Sequence, residues 1–140
     1  MSKEKSAGAV IFRKQEGKTY YLLLRYQVGH WGCPKGHIEK GERLEDTAQR
    51  ETKEESGIED IKMIQGFKEQ IKYFFKGDKG MIFKEVTFFL FETKQKKIKL
   101  SLEHIDYKWL VFKDALEQIT FKKTKDVLRK ANSFLEKLSP

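Results

Sequence analysis

The chain has 140 residues, 39% hydrophobic and 13% aromatic, the length and composition of one globular domain (1–140) built on a single core. No stretch approaches the roughly 20 uncharged apolar residues of a membrane-crossing helix, and the N-terminal MSKEKSAGAV lacks the apolar run and cleavage site of a secretory signal. A lone cysteine, Cys33, excludes an internal disulfide and fits a reducing compartment, so a cytoplasmic location is expected; the chain is further expected to be soluble, monomeric and without membrane contact. The net charge of +8 asks for an anionic partner such as nucleic acid, nucleotide polyphosphate or membrane phosphate.

In chain order, GAVIFR (8–13) and YYLLLRY (20–26) are short β-type runs separated by the turn-like KQEGKT, which predicts a hairpin. Val28 to Glu42 holds four glycines and a proline and reads as an ordered loop. From Arg43 to Ser56 there is neither Gly nor Pro. Leu44, Ala48 and Thr52 recur there at helical spacing, with Gly57 as the stop. IKMIQGFKEQIKYFF and MIFKEVTFFLFET predict strands joined by a KGDKG turn, with Gly66 as a bulge. YKWLVF predicts another strand. From Thr120 to Leu138, Phe121, Val127, Leu128, Ala131, Phe134, Leu135 and Leu138 form one apolar stripe opposite lysines, an amphipathic helix. The whole is an α/β or α+β domain with a mixed sheet.

The predicted helix at 43–56 has an unusual feature. Glu51, Glu54 and Glu55 project from one side, and the Glu51–Glu55 pair alone costs about 0.2–0.5 kcal/mol by repulsion in an isolated helix. Its position near the C-terminus also opposes the helix dipole. Arg50 and Lys53 offset part of this charge, as on an ordinary solvated face. The alternative is a divalent cation held by carboxylate oxygens, Mg²⁺ or Mn²⁺ by donor hardness.

The segment ahead of the helix and the helix itself decide between the two. Gly36, five residues, Glu42, seven residues, Arg50-Glu51, then Glu54-Glu55, Gly57 and Ile58 resemble the Nudix box, G-x5-E-x7-R-E-U-x-E-E-x-G-U, at every fixed polar and glycine position. Thr52 stands where the first aliphatic U belongs. The resemblance implies a Nudix α/β/α sandwich with a mixed β-sheet and a metal-dependent hydrolase of nucleoside diphosphate linkages. It implies Glu51, Glu54 and Glu55 as metal ligands beside a backbone carbonyl of Lys35 or Gly36, and Arg50 as the residue that orients them. Glu42 either binds a further metal or holds the loop. Cys33 reads as a packed loop residue, and His30, Cys33 and His37 lack a fourth partner for zinc.

WGCPKGHIEKGE, RETKEESGI, GFKEQIKYFF, FKEVTFFLFE and LSLEHIDYKWL extend the likeness to the asymmetrical diadenosine tetraphosphate hydrolases of the Nudix superfamily, with His37 in its PKGH setting the informative position. This implies water attack that releases ATP and AMP. Lys35 and Lys84 are the candidate phosphate donors, and Tyr73, Phe88 and Phe121 the candidate ring contacts for adenine. Phe88 stands where some members carry tyrosine. Glu103 and His104 are implied to approach the metal, with Glu54 or Glu103 as general base. Two other readings compete: removal of pyrophosphate from the 5′-triphosphate end of RNA, and a non-catalytic nucleotide-binding module. The intact acidic set argues against the module.

Overall fold

The computed structural model describes residues 2–138, and among them no helix is long and apolar enough to cross a membrane. Strand β1 (Ser2–Gln15) turns tightly at Glu16-Gly17 into β2 (Lys18–Tyr26), giving the antiparallel pairs Phe12↔Tyr21 to Gln15↔Lys18. This is the expected hairpin. Most of β1 runs parallel to β7 (Gly80–Glu92), from Ser2↔Ile82 to Phe12↔Glu92, which makes the sheet mixed. Beyond β7, β6 (Glu69–Gly77) pairs antiparallel along its whole length, and β5 (Lys62–Met63) adds a short step. β8 (His104–Val111) closes the other side against β2.

Alternation along the central strands separates two cores, one on each face of the sheet. Ala7, Ala9, Ile11, Phe89 and Phe91 point to the face covered by α1 (Leu44–Ser56), where Ala48 and Ile58 meet them. Val10, Phe12, Val86, Phe88 and Leu90 point to the face covered by α2 (Phe112–Gln118) and α3 (Lys122–Leu138), through Ala115, Val127, Leu128 and Ala131. Each fully buried Leu or Val there stabilises by about 1.5–3 kcal/mol. The Tyr21 hydroxyl, buried in the same core, donates to Asn132 Oδ1 at 2.7 Å and pins α3 to the sheet. The arrangement is the α/β/α sandwich that the sequence predicts.

Four details differ from the sequence reading. The loop at Val28–Glu42 contains two short strands, β3 (Trp31–Gly32) and β4 (Lys35–His37), because its backbone finds partners on β2 and on Ser6–Gly8 of β1. Gly66 makes no bulge. It lies at φ 95° in the turn that separates β5 from β6. Phe112 ends no strand but opens the unanticipated α2, and Phe121 precedes α3 instead of joining its buried stripe.

Candidate active site

Helix α1 begins where Asp46 accepts the Arg43 N–H at 3.0 Å, and it ends at Gly57, whose left-handed backbone (φ 74°) donates back to the Lys53 carbonyl at 2.9 Å. Between these ends Thr47, Ala48, Thr52, Glu55 and Ser56 face inward. Thr52, the departure from the Nudix pattern, is fully buried, with its hydroxyl oxygen lacking any partner. The same rotation turns Glu55 into the protein, 3% exposed, and leaves Glu54 on the rim.

Arg50 organises the carboxylates around it. Its Nε donates to Glu42 Oε2 at 2.7 Å, and its terminal nitrogens reach Glu42 Oε1 at 3.0 Å, the His37 carbonyl at 2.9 Å, Glu54 at 3.3 Å and Glu51 at 3.4 Å. Such a two-toothed guanidinium–carboxylate contact fixes direction as well as distance. Glu42 is fully engaged, because Thr47 Oγ1 (2.8 Å) and the Glu39 N–H (2.9 Å) also donate to it. In this arrangement Glu42 ties the loop at Glu39 to α1, with three donors on Oε1 and one on Oε2. These donors hold its carboxyl down at about 2.

Glu51 lies against the backbone of Gly36 so closely that a Cβ there would fall 1.9 Å from Glu51 Oε2. Only glycine admits this approach. Burial and the neighbouring Glu55 push the Glu51 carboxyl up to about 7, with Arg50 pulling the other way. Burial, followed by Glu103, pushes Glu55 to about 8. Both Glu55 oxygens are buried without a hydrogen-bond partner. His104 Nε2 stands 3.2 Å from Glu55 Oε1, outside hydrogen-bond alignment, and is itself without a partner. Unsatisfied buried carboxylate oxygens are costly and fit a hard cation as their missing partner. Among the described residues no three acidic, histidine or cysteine side chains already converge on one point, so the donor set fits the ion by chemistry and not as a finished cage.

Beside the acidic cluster opens a cavity of about 550 Å³, lined by His30, Lys35, Ile71, Tyr73, Phe75, Phe121 and the start of α3. Lys35 is common to both, since its charge also acts on Glu55. Burial and then the adjacent Lys84 lower the Lys35 ammonium to about 8. The structure thus brings Lys35, Tyr73 and Phe121 to one cavity, with Lys84 beside Lys35 and opposite Tyr73 in the sheet. It does not add the remaining three ligand contacts. Phe88 is 1% exposed in the core between β7 and α3 and presents no face to a ligand. The His104 side chain is wholly buried behind Glu55, against Tyr26 (ring centroids 4.3 Å) and Ser101 Oγ (3.1 Å), and presents no exposed surface. His37 contributes its carbonyl to Arg50, while its ring points outward 4.0 Å from Glu4. Phe75 and His30 were missed by the sequence reading as wall residues. The period-two run Ile71, Tyr73, Phe75, with alternate residues half-buried, is the signal that could have found Phe75.

This geometry, a mixed sheet between helices with an Arg-braced acidic helix behind a glycine loop, defines a class. The chain matches the NUDIX domain over residues 2–131 and belongs to that family. Its particular similarities lie with dinucleotide hydrolases. It is 36% identical over 143 residues to the asymmetrical bis(5′-nucleosyl)-tetraphosphatase of Mus musculus, covering 94% of this chain and 95% of that one. A C. elegans Ap4A hydrolase binary complex superposes with a TM-score of 0.84 at 34% identity, covering 95% of this chain and 98% of that one. An RNA pyrophosphohydrolase of Nitratiruptor is 34% identical over 128 residues, covering 84% of this chain and 82% of that one.

Proposed function

We propose that the chain hydrolyses diadenosine tetraphosphate to ATP and AMP in the presence of a divalent metal, through attack of water on phosphorus. The observation that carries this reading is the double membership of Lys35, which lines the aromatic cavity and also acts on Glu55. A base seated in the cavity directs its phosphates along Lys35 and Lys84 toward the glutamates. Tyr73 and Phe121 offer ring faces, and stacking on such a ring is worth about 1–3 kcal/mol per base.

Glu51, Glu54 and Glu55, beside the backbone of Lys35 and Gly36, are the residues that would hold Mg²⁺ or Mn²⁺. When bound, such an ion neutralises polyphosphate charge and acidifies a bound water. Arg50 holds Glu51 and Glu54 in register, and Glu54, with its side chain 55% exposed, is free to turn from Arg50 toward the substrate. The water oxygen bonds to phosphorus as the bridging P–O bond breaks, and the water proton passes to Glu54 or Glu103. The similarity to the mouse and nematode dinucleotide hydrolases supports the same substrate class.

The test is incubation of the purified protein with diadenosine tetraphosphate and Mg²⁺, followed by anion-exchange separation. Equimolar ATP and AMP are expected, and two ADP per substrate would contradict the proposed point of attack. The similarity to an RNA pyrophosphohydrolase and the net charge of +8 favour one second reading, release of pyrophosphate from triphosphorylated RNA ends. A higher kcat/KM on such RNA than on the dinucleotide would install it as the main activity.

A further inference from the structure

A dinucleoside polyphosphate carries two bases, and the aromatic cavity accounts for one. The two most exposed large apolar side chains among the described residues are Leu102, 92% exposed, and Val28, 84% exposed. They sit at the tips of adjoining turns. One turn closes where the Gly29 N–H donates to the Tyr26 carbonyl at 2.8 Å, the other where the His104 N–H donates to the Ser101 carbonyl at 3.2 Å. The Gln27 N–H donates to the Glu103 carbonyl at 3.0 Å, and the Gln27 side-chain amide donates to the Leu102 carbonyl, so the two tips are fastened together. Tip positions of this kind ordinarily hold polar residues or glycine.

The fastened pair adjoins the acidic cluster. Leu102 neighbours Glu103, whose charge raises Glu55, and the Ser101 N–H reaches the Glu55 carbonyl at 3.4 Å. A run of rings links the same region to the cavity: Phe121 to His30 at 5.0 Å, His30 to Tyr26 at 4.3 Å and Tyr26 to His104 at 4.3 Å. Neither Val28 nor Leu102 lines the cavity. Two side chains are far too little for a protein interface, which takes about 800 Å² from each partner.

We propose that Val28 and Leu102 form the contact for the second nucleoside of the polyphosphate, and so favour substrates capped by a nucleoside at both ends. This rests on the dinucleotide reading above. The test compares wild type with the double variant Val28→Ser, Leu102→Ser. It uses the KM for diadenosine tetraphosphate and the inhibition constant of adenosine 5′-tetraphosphate, which has one nucleoside. Both side chains are exposed, so the melting temperature stays unchanged. The dinucleotide KM is expected to rise about three- to tenfold at constant kcat, from the lost apolar contact, with the inhibition constant unmoved. An unchanged KM, or an equal rise in both constants, overturns the proposal. If wild-type protein turns over no dinucleotide, the hydrolysis reading has failed by itself. Calorimetric affinities for the same two compounds then decide the contact: loss of the preference for the dinucleotide in the variant upholds it, and an unaltered preference overturns it.

Discussion

The acidic cluster and the aromatic cavity meet at Lys35 but are held together by opposite means. In the cluster, charge is concentrated and then disciplined. Arg50 gathers Glu42, Glu51 and Glu54 from one side, while Glu55 stays buried with two unsatisfied oxygens. The cavity instead presents hydrocarbon and ring surface from β6 and the approach to α3, with cationic tips at its edge. On the proposed function the first half would place the reaction and the second would choose what reacts. Substitutions should separate along that line, in kcat for the cluster and in KM for the cavity.

The largest effect is expected for Glu54→Gln, which removes a proposed ligand and candidate base without changing shape. Its kcat should drop by about 10²- to 10⁴-fold, measured by ATP release, while the melting temperature holds. If Glu103→Gln loses more, the base is Glu103. Next, Tyr73→Ala with Phe121→Ala should raise KM by about 5- to 150-fold, the equivalent of 1–3 kcal/mol of stacking, with kcat nearly constant. A parallel loss of kcat would erase the division of labour between the halves. Gly36→Ala sets a Cβ 1.9 Å from Glu51 Oε2 and forces that carboxylate aside. A roughly tenfold loss of kcat is expected, and unaltered kinetics would show that the placement of Glu51 is not critical.

The smallest effect is one of pH. Glu51 and Glu55 titrate near 7 and 8 in the folded chain, against an ordinary 4.5, so between these values the folded state binds protons that the unfolded chain has released. Stability of metal-free protein therefore declines as pH rises from about 5 to 8. A drop in melting temperature of roughly 5 °C in the presence of a chelator, reversed by excess Mg²⁺, is expected. A flat profile would mean that the acidic half carries no such repulsion. Glu42 acts in the reverse sense, since its stabilisation is lost as pH falls from 4.5 toward 2.

The acidic helix was legible in the sequence, because Gly36 to Ile58 is continuous and a helix converts fixed spacing into fixed direction, while the roles of its glutamates came from the resemblance to the Nudix box. Local pattern named the strands and the α3 stripe and so a mixed-sheet domain of helices and strands, whereas the sandwich itself came from the resemblance to the Nudix box. The cavity was legible only in part. Its walls come from residues as distant as His30 and Phe121, and nothing local to Phe88 says that strand register turns it into the core. Likewise β4 exists because Ser6–Gly8 offers it a partner, a fact of tertiary pairing. His104 could be placed near Glu55 by resemblance, but its burial behind the carboxylate depends on how β8 lies against β2.

Cys33, 3% exposed and with its thiol pushed up to about 12 by burial, lies one residue before Pro34 in the segment leading to Lys35. The Tyr26 hydroxyl clasps its carbonyl at 2.7 Å. As the chain's one sulfhydryl it is silent toward alkylating reagents while this segment stays closed, because the reactive species is the thiolate. The rate at which a maleimide or disulfide reagent modifies it therefore clocks the opening of the segment beside the acidic cluster, with no label introduced.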